Sequence, residues 1–229
     1  MVTPTAATII TMTDKTLIQL MTLLSPVFPV GGFAYSAGLE AACSPSNGSV
    51  RSKDDLKAWI ETSLTMGWLR NDAILLAAAM REGADLNEIN DLALALSGSS
   101  ERYEETVNLA GAFAKAAEPW TQDPGLDLPQ PCAYVVAVGA VVAHMQLQPL
   151  QVLHAFLQAS VSNQLQAALR LMSLGQQAAV TLQHELEPAL LSAAESAANS
   201  DLDDLGSFAL ATDMAAMNHE TMTSRIFRS

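Results

Sequence analysis

The sequence predicts an all-α protein, a single-domain bundle of about nine or ten helices. Half of the residues are hydrophobic, yet only 5% are aromatic and 15% charged, and alanine and leucine dominate, a composition that favours helices over sheets. Apolar residues recur with a helical period, in runs bounded by capping residues, glycines and prolines. Residues 128–184 carry a single formal charge, Arg170, which marks them as the buried centre. A chain of 229 residues is long enough to enclose such a core in one domain.

The elements follow in order. Thr13 or Asp14 caps a helix over residues 15–24, which Pro26 and Pro29 bring to a stop near Leu24 by restricting their own φ and that of Ser25 and Phe28. Gly31 and Gly32 permit a turn or a close backbone approach, and Phe33, Tyr35, Ser36, Gly38, Leu39 and Glu40 then run into a new helix. On that helix Tyr35 with Leu39 and Ser36 with Glu40 form adjacent stripes, where Glu40 either pairs with a basic partner or is a surface carboxylate worth little. Ser52 with Asp55 is a capping-box start for a run ending near Arg81, and Gly83 stops it. Asp85 with Glu88 begins a helix to about Leu96. Ser99 or Ser100 begins another to Trp120, with Glu101, Glu104 and Glu105 placed to complement its dipole. The segment TQDPGLDLPQP, 121–131, is a loop. The run YVVAVGAVVA clusters β-branched residues as a strand would, but its interleaved alanines and glycine, and its continuity with His144 and Met145, favour a buried helix. Gln148 and Pro149 start a helix to about Ser173 that is apolar on nearly all sides. Asn163 and Arg170 fall near one stripe of it. A buried Arg170 must be hydrogen-bonded, either tying the core to a neighbouring backbone or carboxylate, or organising polar groups around an internal passage.

Charge and motif content exclude several function classes. Eleven Lys and Arg against 24 Asp and Glu leave a net charge of −13, so nucleic acid is not an expected partner; such acidity suits docking to a basic protein surface, although acidic faces are most often simply solvated. The first 13 residues read as a flexible extension without the basic and apolar regions of a signal peptide, and no apolar run is long enough to span a membrane; a cytoplasmic protein is expected. Cys43 and Cys132 lack CxxC spacing, so neither a disulfide nor a metal site is expected of them. Phosphate-loop, dinucleotide, nucleophile-elbow and HExxH patterns do not occur. His144, His154, His184 and His219 are widely spaced, and His184 beside Glu185 and His219 beside Glu220 read as solvent-facing neighbours. No bound metal or cofactor is expected. A helical small-ligand enzyme would need converging polar side chains, of which the sequence supplies only scattered candidates. From Glu185 to Glu220 there are eight carboxylates and no Lys or Arg. The basic, apolar-interrupted end Arg225-Ile226-Phe227-Arg228 follows and looks like an interface sequence.

Four segments carry a resemblance. The run SPVFPVGGFAYSAGLEAA at 25–42 resembles the signature of the UreF family of urease accessory proteins. Arg102, Glu105 and Thr106 are similar to that family's Arg-x-x-Glu-Thr helix, and SVSNQLQAALRLMSLGQQ at 160–177 to its Ser-Asn, Arg-Leu and Leu-Gly-Gln block. The ending HETMTSRIFRS resembles the family's Ser-Arg-Leu-Phe-Arg-Ser, with Ile226 in place of leucine. Residues 1–13 and 195–204 have no counterpart. The resemblance implies a helical domain over 14–223 and a partner-docking tail over 224–229, loosely held until a complex forms. It implies a homodimeric, non-catalytic factor that bridges UreD (also called UreH) and the GTPase UreG, which handle GTP and nickel, to support nickel insertion into apo-urease. Direct stimulation of the UreG GTPase is the alternative. The partner-binding residues it points to are Gly31, Gly32, Phe33, Tyr35, Ser36, Glu40, Arg225, Phe227 and Arg228. Asn163, Gln164, Arg170 and Gln176 are its candidates for lining an internal polar passage.

Overall fold

A computed structural model of the chain describes residues 14–46, 48–121 and 126–229. The N-terminal extension, and residues 122–125 of the proline-rich loop, lie outside the described residues. Among the described residues there are eleven α-helices and no strand. They are α1 (Asp14–Leu23), α2 (Leu39–Ala42), α3 (Lys53–Met66), α4 (Trp68–Ala79), α5 (Leu86–Ala95), α6 (Ser100–Thr121), α7 (Tyr134–His144), α8 (Pro149–Leu171), α9 (Gln176–Glu185), α10 (Glu187–Asn199) and α11 (Leu210–His219). None of them is long and apolar enough to cross a membrane.

Capping chemistry sets many of the helix starts. Ser52 accepts from the Asp55 N–H while Asp55 accepts from the Ser52 N–H, a reciprocal box that opens α3. Those bonds hold the Asp55 carboxyl below its usual range. Asp85 caps α5 through the N–H groups of Asn87 and Glu88, and Pro149 occupies the first turn of α8.

The nearly uncharged stretch forms the centre of the bundle. Every residue of α7 from Val135 to Val142 is buried, and the helix is wedged among α4, α5 and α6. Helix beats strand here because small residues let two helices meet closely: a Cβ at Gly139 would lie 2.5 Å from that of Ala79 on α4. On the other side of α4 lies α8, which also packs against α10, α9 and α2. Phe28, Phe113, Tyr134 and Phe156 join in a chain of tilted and edge-on ring contacts across this centre.

Three expectations are corrected. The run from Ser52 to Arg81 is two helices, because Gly67 adopts an extended conformation (φ −118°, ψ −158°) between α3 and α4. There a Cβ would sit 3.1 Å from both Ala209 and Ser63, so glycine also makes room for the segment that leads into α11. Residues 33–40 are not one helix. A 3-10 turn over Gly32–Ala34 is followed by extended Tyr35, then by Ala37 and Gly38 with φ of 52° and 82°, before the short α2. The stripes expected of Tyr35 with Leu39 and Ser36 with Glu40 therefore do not exist. Finally, the tail from Ser224 is docked on its own chain rather than loosely held: Phe227 and Ser229 are buried, and the Arg228 N–H donates to the Ala34 carbonyl at 2.8 Å.

Candidate functional site

The docked tail converges with the turn 31–40 and the start of α6 on two buried carboxylates. Glu40, in the first turn of α2, is almost fully buried. Its Oε1 accepts the Ile226 N–H at 2.7 Å and its Oε2 the Phe227 N–H at 2.8 Å, while Oε2 also pairs with His219 Nε2 at 3.1 Å. His219, at the end of α11, is completely buried, and its Nδ1 lies 2.6 Å from Glu101 Oε2 in the first turn of α6. The other Glu101 oxygen pairs with Arg225 of the tail. Next to this relay Glu220 accepts both the N–H and the hydroxyl of Ser100, at 2.7 and 2.8 Å. These bonds hold the Glu220 carboxyl below its ordinary range. Two acidic helix starts and the end of α11 are thus tied together by one imidazole and the tail backbone. Hydrogen bonds to an ionised, desolvated group are among the stronger ones a fold can make.

A second set of bonds fixes the end of the tail. The Ser229 carbonyl accepts from the Ser36 N–H at 2.8 Å and the Ser36 hydroxyl at 2.5 Å, and the Ser229 hydroxyl donates to Glu105 at 2.6 Å. Glu105 in turn pairs with Arg102 at 2.7 Å. Arg102 lies over the Trp68 ring at 4.4 Å and reaches Asp72 at 3.9 Å. Burial pushes the Asp72 carboxyl up to about 6, against the pull of Arg102. Although burial opposes it, the Glu105 and Asp72 carboxylates hold Arg102 more firmly protonated than usual.

From below, α8 supports the turn 31–40. Asn163 donates to the Gly32 and Tyr35 carbonyls at 3.3 and 3.4 Å, and Gln164 donates to the Ser36 carbonyl at 2.9 Å while accepting from the Trp59 indole. Arg170 donates to the Phe33 carbonyl at 3.0 Å and stacks 4.1 Å from the Phe227 ring.

The structure therefore brings most of the sequence-derived candidates together, in roles that differ among them. Tyr35, Ser36, Glu40 and Phe227 face inward and hold the tail, not outward toward a partner, because the left-handed residues Ala37 and Gly38 turn Glu40 beneath it. Phe33, Arg225 and Arg228 face solvent, with Phe33 71% and neighbouring Ile226 58% exposed. Asn163 and Gln164 join the cluster. Arg170 is exposed rather than buried, since α8 ends beside the tail and its guanidinium reaches out over Phe227. Gln176 stands exposed at the start of α9. The close approach looked for at Gly31 and Gly32 occurs instead at Gly38, where a Cβ would lie 2.7 Å from the Ala216 nitrogen of α11; around Gly31 the space is open.

His219 is the residue that sequence reasoning misplaced. Its neighbour Glu220 suggested a solvent-facing pair, but its real partners lie 179 and 118 positions away. The sequence assigns Glu101 only to the helix dipole. The Arg-x-x-Glu-Thr pattern was the available signal for Glu105. Thr106 of the same pattern accepts the Tyr134 N–H at 2.9 Å and so seats the start of α7. Cys43 and Cys132 are free thiols, each pushed up to about 11 by burial.

Behind the turn 31–40, residues of α4, α6, α7 and α8 line a partly open cavity of about 100 Å³, with Tyr35, Asp72, Arg102, Glu105 and Gln164 in its wall.

The site is thus a helical bundle that seats its own tail on a polar cluster, with an exposed aromatic and arginines beside it. Residues 50–187 match the UreF family model. The chain is 47% identical to the urease accessory protein UreF of Mesorhizobium japonicum over 225 residues, which span 95% of this chain and all of that protein. It is 44% identical to the UreF of Allorhizobium ampelinum over 221 residues, covering 93% of this chain and 96% of the relative. With the urease accessory protein UreF 1 of Brucella canis it shares 46% identity over 216 residues, 93% and 94% of the two chains. The chain belongs to the UreF family of urease accessory proteins.

Proposed function

We propose that the chain is a non-catalytic urease maturation factor that bridges UreD/UreH and the GTPase UreG to support nickel insertion into apo-urease, acting as a homodimer in the cytoplasm. Nickel and GTP are handled by those partners. Family membership over nearly the whole chain carries this reading. The geometry adds a surface suited to it: Phe33, Ile226, Arg170, Arg225 and Arg228 form an exposed apolar and basic patch on a chain whose net charge is −13. An aromatic anchor flanked by arginines is the composition of an interface centre.

Co-expression with UreD/UreH, UreG and the urease subunits, followed by pull-down and a urease assay, tests the reading. Phe33→Asp and Arg228→Ala are expected to lower recovery of the complex and urease activation together, with unchanged thermal unfolding. Full assembly and activation by both variants would remove the patch from the function.

One observation favours direct stimulation of the UreG GTPase as a second reading. The Arg228 side chain is exposed, and its guanidinium makes no hydrogen bond or ion pair among the described residues. A GTPase assay of UreG with and without the chain, and with Arg228→Ala, separates stimulation from recruitment.

A further inference from the structure

A second exposed apolar face lies on the outer side of α11. Leu210, Met214 and Met217 recur there at i, i+4 and i+7 and are 71%, 52% and 51% exposed, while Thr212, Ala215 and His219 point into the molecule. Just before the helix, Phe208 is 89% exposed. Its backbone is nevertheless pinned. The Phe208 N–H donates to the Met66 carbonyl at 2.9 Å, and on either side the Gly206 N–H donates to Asn71 at 3.1 Å and the Ala209 N–H to the Ser207 hydroxyl at 3.2 Å. Ser207 in turn donates to Asp213 at 2.9 Å, and Ala209 is buried. An aromatic ring held out on a fixed backbone loses little freedom on binding, and methionines adapt to the shape they meet. Exposed apolar patches with a polar border mark interaction surfaces.

The border here is acidic. Asp201, Asp203 and Asp204 precede Phe208 and are exposed, Asp213 lies on α11 itself, and from Glu185 to Glu220 the chain has no Lys or Arg. One cation reaches the segment from outside it: Arg70, near the start of α4, donates to the Asp204 carbonyl at 2.7 Å. This is the reverse of the patch around Phe33, where arginines flank the exposed ring. Faces of opposite charge suit different partners, and a factor that bridges two proteins needs two separate faces. An acidic border also disfavours an anionic lipid surface. We propose that Phe208 and the outer stripe of α11 form a second docking surface, for a protein whose contact face is an apolar pocket rimmed by lysine and arginine. Phe208 enters that pocket, Leu210 and the methionines of α11 fill the space around it, and Asp203 and Asp213 meet the basic rim. Under the bridging reading, on which this assignment rests, the partner at Phe208 is not the one that meets Phe33.

Separate pull-downs of the full-length chain with UreD/UreH alone and with UreG alone test this. Phe208→Ala/Leu210→Ala is expected to lower recovery of one partner about tenfold and to leave the other within about twofold, while Phe33→Asp gives the opposite pattern. Thermal unfolding should stay that of the parent, because both residues are exposed. If the double variant melts lower, Phe208→Ala alone, which removes only an exposed ring, is read in its place. Asp203→Lys is expected to weaken the Phe208-dependent partner about threefold, with the difference shrinking at high salt. Undiminished recovery of both partners by the Phe208 variant would overturn the surface, and loss of the same partner from both faces would overturn the division between them. Sedimentation with phosphatidylcholine and phosphatidylglycerol vesicles that depends on Phe208 would assign the face to lipid, and a drop in oligomeric mass of the variant in ultracentrifugation would assign it to a second copy; either overturns the proposal. Failure of the parent chain to retain either partner would overturn the bridging reading itself, a result distinct from every variant outcome.

Discussion

Asp72 carries a stability cost that changes with pH. Burial raises its carboxyl from an ordinary 3.8 to about 6, so between those values the folded chain binds a proton that the unfolded chain has released. Stability contributed by that proton is present at low pH and is lost as pH rises toward 6. Asp72→Asn removes the cost. Arg102 keeps its nearer partner, Glu105 at 2.7 Å against 3.9 Å for Asp72. The variant is therefore expected to melt above the parent at pH 7, with the difference shrinking as pH falls from about 6 to about 4; scanning calorimetry across that range checks it. His219 stands between two carboxylates, 3.1 Å from Glu40 and 2.6 Å from Glu101. His219→Leu leaves Glu40 and Glu101 facing each other in a buried site and is expected to cost about 3–5 kcal/mol in urea unfolding, with His219→Gln milder.

Among the elements, the glycines separate steric demand from local freedom. Gly38 has positive φ and would drive a Cβ to 2.7 Å from the backbone of α11, whereas Gly31 has positive φ and open space. Gly31→Ala is expected to cost about 1–2 kcal/mol, the strain of a left-handed alanine, and Gly38→Ala distinctly more, with α11 displaced. Denaturant midpoints and α11 amide protection distinguish the two. At the crossing of α7 with α4, Gly139→Ala is expected to cost about 1–3 kcal/mol by overpacking, part of which Ala79→Gly restores in the double variant. The sequence declared its helix starts because capping is local: Ser52 and Asp55 bond each other across three residues, as do the groups that begin α5. It concealed the break at Gly67 and the need for Gly38, since both are imposed by the segment around α11, more than 140 positions along the chain. For the same reason Glu40 was found but its direction was not. Two left-handed residues, one of them Ala37, turn it beneath the tail, and alanine gives no sign of such a conformation.

At the scale of the whole molecule, charge is divided unevenly. The chain is strongly acidic, yet the surface beside the tail gathers three of its arginines, Arg170, Arg225 and Arg228. If the patch docks electrostatically, binding of the partners proposed above is expected to weaken with rising ionic strength, and the salt dependence to flatten in Arg228→Ala; pull-down over a salt series measures this.

The fastening of Ser36 to Ser229 also has a consequence in time. The two residues are 193 positions apart, so on a ribosome adding ~5–20 residues per second Ser36 waits roughly 10–40 s for its partner. During that interval the helices from α3 to α8 can gather around α7, because their contacts lie within shorter stretches of chain. Glu40 does not gain its two backbone donors until synthesis has passed Phe227. A chain without the residues from Ile226 onward would hold most of its core while Glu40 lacked both backbone donors and Ser36 its acceptor, so these contacts are the last of the fold to be made.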